Sequence, residues 1–168
     1  MKTPFAIALT CLLLTSCDYT VPLATTPETD ADPALVGRWQ RIKSGGDTES
    51  LLILPLDNRE QLVVYPAGSD DAMYARACLV HPAGRTMIQL KWFGTEQAAV
   101  PDDARVYQFA AYKVEGTNLT VRMLSTSAVD KDVATTAALI DAIQAVEDEE
   151  DLFSEPLVFG KISQTSED

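Results

Sequence analysis

The chain is predicted to be mainly β: an up-and-down antiparallel meander of about eight strands closing into a small barrel, with one helix before the last strand. Three observations carry this prediction. Short runs alternate apolar and polar residues, as strands with one buried face do. Clusters of Gly, Pro, Asn and Asp punctuate those runs at short intervals. Beyond Leu124 the apolar spacing changes from every second residue to a helical period.

Taken in order, Leu35 to Ile42 is the first predicted strand and Ser44-Gly45-Gly46-Asp47 its turn. Ser50 to Leu56 follows, and Asp57-Asn58-Arg59-Glu60 turns into Gln61 to Tyr65. Pro66 to Asp71 reads as a loop, Ala72 to Val80 as the fourth strand, and His81 to Arg85 as the turn into Thr86 to Phe93. There Ile88, Leu90 and Trp92 share one face, with Gln89 and Lys91 on the other. A longer loop, Gly94 to Ala104, leads to Arg105 to Val114; Glu115-Gly116-Thr117 then turns into Asn118 to Leu124. In that seventh strand Leu119, Val121 and Met123 alternate with Thr120 and Arg122. Ser127 or Asp130 is the expected cap of a helix to about Glu147, with Val133, Ala137, Ile140, Ile143 and Val146 on its apolar stripe. The acidic run Glu147 to Asp151 is expected as a solvated helix end and loop, since the helix dipole disfavours carboxylates there. It lacks the alternating ligands and central Gly of a calcium loop. Leu157 to Ile162 is the closing strand, and 163–168 a polar tail.

The N-terminus is a targeting segment. Lys2 supplies a positive start, and Phe5 to Leu14 is almost wholly apolar but too short to span a bilayer, which takes roughly 20 residues. Leu14-Thr15-Ser16-Cys17 follows and resembles a bacterial lipobox. The resemblance implies recognition of Leu14, Thr15 and Ser16 by a signal peptidase, removal of residues 1–16, and lipid attachment at Cys17. Cys11 is the rival attachment site, with a shorter apolar run before it and Thr10 in place of Ser16. Two acyl chains suffice for stable anchoring without a transmembrane helix. The expected location is the bacterial cell envelope, and Asp18 after the cysteine resembles the signal for retention at the inner membrane. Residues 17–34 read as a lipidated flexible tether: Pro22, Pro27 and Pro33 and four acidic residues follow no strand or helix period. The barrel domain is then 35–162.

Composition narrows the functions open to this domain. The 168 residues carry a net charge of −12, and loss of 1–16 removes only Lys2 among charged groups. Nucleic-acid binding, which needs clustered cations against phosphate, is excluded on this ground. Once Cys17 is acylated, Cys78 has no disulfide partner and is expected as core filler rather than a reactive thiol.

Within the first strand, Gly37-Arg38-Trp39 resembles the Gly-x-Trp at the start of the lipocalin barrel. The Gly permits close backbone approach and the Trp would plug the closed end. The resemblance further implies a basic side chain stacked on that Trp; Lys161 is the first match, Arg122 the second. It also implies an open mouth able to take a small apolar molecule.

Catalytic constellations are not found. His81 lies in a turn, and it stands three positions along the strand from Cys78, which puts the two on opposite faces. No Gly-x-Ser-x-Gly elbow or phosphate-binding Gly loop occurs, and one His with one thiol cannot make a metal site. Asp70-Asp71 and Asp102-Asp103 read as turn solvation. Of the aromatics Tyr65, Tyr74, Trp92, Tyr107, Phe109 and Tyr112, most belong to the core, and some tyrosines are candidates to line a cavity. The expectation is a non-enzymatic binding module without cofactor or metal. Its partners are the bilayer, through Cys17, and a small hydrophobic ligand; the alternative is a filled barrel acting through contacts with an envelope protein. An apolar cavity above roughly 300 Å³ separates the two.

Overall fold

The computed structural model describes residues 19–101 and 104–162. The signal residues with Leu14, Thr15, Ser16 and Cys17, the pair Asp102-Asp103 and the tail 163–168 lie outside the described residues. The eight strands are β1 (Gly37–Ile42), β2 (Thr48–Pro55), β3 (Glu60–Tyr65), β4 (Met73–Val80), β5 (Met87–Thr95), β6 (Tyr107–Glu115), β7 (Asn118–Met123) and β8 (Leu157–Lys161). Each pairs antiparallel with the next, and β8 returns to β1 through Trp39↔Lys161 and Gln40↔Gly160, closing the barrel. Closure removes the sheet edges that an open meander would expose. The tightest hairpin is the two-residue Gly116–Thr117 turn, where Gly116 takes φ 60°, a conformation that costs glycine little.

Helix α1 (Thr136–Ala145) and the single turn α2 (Glu149–Leu152) lie between β7 and β8. The helix starts later than Ser127 or Asp130. Those residues form local turns instead: the Ser125 carbonyl accepts from the Ala128 and Val129 amides, and the Asp130 carboxylate from the Asp132 amide. Short polar side chains that satisfy nearby backbone groups compete with helix in this way. The actual cap is Thr135, whose hydroxyl accepts from the Ala138 amide at 3.2 Å. The buried stripe is Leu139 and Ile143, one turn apart, with Val133, Ile140 and Val146 at its flanks. At the other end α1 stops before the acidic run. Arg85 donates to the carbonyls of Ile143 (2.9 Å) and Val146 (2.8 Å), placing a cation where the helix dipole favours one. Glu149, Glu150 and Asp151 begin α2 rather than ending α1, so they occupy the favourable end of a helix turn, capped by Asp148.

Two cores result. The inner one lines the barrel interior around Leu35, Trp39, Ile53, Trp92, Leu119 and Phe159. The outer one lies on the opposite face of β4–β6, where Cys78, Val80, Met87 and Phe109 meet Leu139 and Ile143 of the helix. These strands are buried on both sides, which is why Met87-Ile88-Gln89 and Gln108-Phe109-Ala110 have no exposed member.

The expected flexible tether is not seen from Tyr19 onward. Tyr19 is fully buried, pairs its backbone with Tyr107, and donates its hydroxyl to the Val129 carbonyl at 2.9 Å. The Gln89 side-chain oxygen accepts from the amides of Leu23 (2.7 Å) and Ala24 (3.0 Å), and its amide donates to the Ala24 carbonyl. The segment is thus strapped across the outer core. Two buried side chains and one clamping amide hold it without any period, and periodicity is what the tether reading relied on.

Candidate binding site

One end of the barrel is closed by a 3-10 turn, Pro33–Leu35, which displaces the start of β1 from the predicted Leu35 to Gly37. Asp32 organises the turn. Its carboxylate accepts from the Ala34 amide at 2.8 Å and from the Tyr112 hydroxyl at 3.0 Å, while its carbonyl accepts from the Gln61 side chain at 2.8 Å. Burial and the bond to Asp32 push the Tyr112 phenol up to about 12.

The structure brings Gly37, Trp39 and Lys161 together at this end. Trp39 is fully buried, and its indole N–H donates to the Leu35 carbonyl at 2.8 Å. The Lys161 ammonium lies 4.9 Å from the Trp39 ring centroid, within cation–π range. Gly37 takes φ 145°, and a Cβ there would stand 2.7 Å from Lys161 Cε, so the lysine stem crosses where a side chain would be. Arg122, the second match for the stacking cation, lies elsewhere: it donates to the Ser154 carbonyl at 2.9 Å. Its alternation with Val121 and Met123 puts it on the outer face.

Above this floor the barrel encloses a cavity of about 260 Å³, lined by side chains such as Leu51, Ile88, Trp92, Val121, Leu157 and Phe159. The polar residues lining it are Gln61, Tyr65 and Gln108. Gln61 is committed to Asp32, and Gln108 accepts from the Trp92 indole at 2.9 Å. Tyr65 is the one cavity-lining tyrosine, so the expectation that tyrosines line a cavity holds for it; Tyr112 serves the floor instead.

At the opposite end Tyr65 meets Arg41 and Glu49, and Lys43 joins them through Glu49. Arg41 and Glu49 are direct cross-strand partners on the inward face, Arg41 donating through Nε at 2.8 Å and approaching through Nη2 at 2.6 Å. Lys43 pairs with the other Glu49 oxygen, and the Tyr65 hydroxyl donates a short hydrogen bond to the first. Burial works to raise the Glu49 carboxyl, but the bonds from Lys43, Tyr65 and Arg41 outweigh it and hold the group below its usual range. The Arg41 guanidinium also lies 5.6 Å from the ring centroid of Phe159, a cavity residue. Sequence reading missed this group. Counting back from the expected Ser44–Asp47 turn pairs Arg41 with Ser50; the observed turn is one residue shorter, Ser44–Gly46, and that register sets Arg41 opposite Glu49 on the face that carries Trp39.

The other candidate residues lie apart from the cavity. Cys78 is the free cysteine of the described residues, buried in the outer core beneath Gln89, and burial pushes its thiol up to about 11. It is a poor nucleophile there. His81 is exposed, its ring 3.2 Å from the Thr86 hydroxyl. Asp70-Asp71 lie in a turn after β3. Among the described residues no cluster of His, Cys, Asp and Glu could hold a metal, and no helix is long and apolar enough to cross a membrane. Set against protein-family models, curated proteins and solved structures, the chain matches none.

Proposed function

We propose that this chain is a non-enzymatic lipoprotein of the bacterial envelope, anchored through Cys17, whose lipocalin-like barrel binds a small hydrophobic molecule. The observation that carries the ligand reading is the apolar cavity above the Trp39 floor. At about 260 Å³ it does not reach the roughly 300 Å³ expected to separate a ligand site from a filled barrel, so the reading holds only for a ligand smaller than ordinary pockets take. The ligand is therefore small. An engineered apolar cavity of about 150 Å³ takes benzene, and by that scale this one holds about ten carbon atoms. The anchor reading rests on the Leu14-Thr15-Ser16-Cys17 sequence.

Trp92 lines the cavity and provides the readout. Titration of the full chain with 1-octanol is expected to shift tryptophan emission saturably. Ala77→Leu, which adds bulk to the cavity wall, should abolish the shift while leaving the barrel folded by circular dichroism. An unsaturable response, or one unchanged by Ala77→Leu, would remove the binding reading.

A further inference from the structure

Resting on that ligand-binding reading, we infer that the natural ligand is an amphipathic anion. It carries a single carboxylate or similar acid head, held by Arg41 and Lys43, and a short apolar tail lying in the cavity.

The charge of the Arg41–Glu49–Lys43 cluster runs against that of the molecule. The chain as a whole carries −12, yet the cluster next to the cavity combines two cations with one carboxylate. Glu49 is largely occupied: Oε2 accepts from Arg41 and Tyr65, and Oε1 from Lys43. A ligand bringing a positive charge would meet the Arg41 and Lys43 cations that flank the single carboxylate. Donors remain in excess. The bonds of the Arg41 guanidinium run through Nε and Nη2, leaving Nη1 to donate, and the Lys43 ammonium has three N–H groups with one carboxylate partner. The Arg41 side chain is 23% exposed and that of Lys43 45%, so both are reachable from solvent. Tyr65 and Phe159 make the connection to the cavity, since each lines it and each contacts Arg41. A planar guanidinium is the donor that best matches a carboxylate. An acid head at Arg41 therefore leaves its tail directed along Phe159 into the apolar space, and no buried charge is left unpaired.

Three probes with the same tail test this: octanoate, 1-octanol and octylammonium, each titrated into the full chain at low ionic strength. Octanoate is expected to bind about tenfold more tightly than octanol, octylammonium more weakly than either, and the octanoate advantage should shrink with added salt. Lys43→Met and Arg41→Met should each erase most of that advantage while octanol affinity stays within about twofold. Glu49→Gln should instead strengthen octanoate binding, which a merely structural role for the cluster would not produce. Should Arg41→Met fail to fold, the exposed Lys43 position still decides. Octanol binding with no preference for octanoate, or a preference for octylammonium, overturns the anionic-head assignment alone. Failure of all three to bind overturns the ligand reading itself and this inference with it.

Discussion

At the residue scale, Gly37 illustrates how one missing side chain sets the barrel floor. Its φ of 145° and the 2.7 Å approach of Lys161 Cε mean that an alanine must both strain the backbone and push the lysine off Trp39. Gly37→Ala is expected to cost about 1–3 kcal/mol, measured by urea unfolding. In a Lys161→Ala background the cost should fall to the backbone strain alone, and an unchanged cost would mean that the lysine contact is irrelevant. Trp39→Ala, which empties a fully buried site, should cost about 3–5 kcal/mol. A loss under about 1 kcal/mol in the same assay would deny Trp39 a packing role.

At the element scale, the strap from Tyr19 to Ala24 covers the outer core. Tyr19 packs its ring against Phe109 at 5.3 Å between centroids, and Gln89 joins the strap to the wall beside Cys78. Tyr19→Ala should cost about 3–5 kcal/mol, as truncation of a buried aromatic does. In a background lacking Cys11 and Cys17, it should also speed alkylation of Cys78 by an exposed-thiol reagent. Alkylation no faster than in the parent would show that the strap does not shield the thiol. Most strands and their order were legible because alternation and turn residues are local signals. β1 to β8 begin and end within a residue or two of prediction. The start of α1 was misplaced because Ser127 and Asp130 look like caps, whereas their neighbours were already satisfied in turns. The strap was illegible for a different reason. Its anchors are single side chains whose partners, Val129 and Gln89, are 110 and 66 residues away from Tyr19 and Leu23.

At the scale of the whole molecule, the floor was partly legible. Gly37-x-Trp39 and Lys161 are marked by residue type, and the closed topology brings them together. The charged cluster at the other end was not, because its members are ordinary surface residue types until the β1–β2 register places them inward. For the anchor, Cys17→Ser is expected to move the protein from the membrane fraction to the soluble one on fractionation of its host. Continued sedimentation with membranes would refute acylation at that residue. The strap adds a consequence for how such an anchor works. Tyr19 is locked to the start of β6, and two residues of chain reach about 7 Å at most. A lipid on Cys17 would thus be joined to the barrel wall by a leash shorter than a helix is wide. The domain would ride flush with the headgroups, its tumbling confined to a narrow cone, and any cargo would be exchanged with the bilayer surface instead of being carried out into the aqueous space.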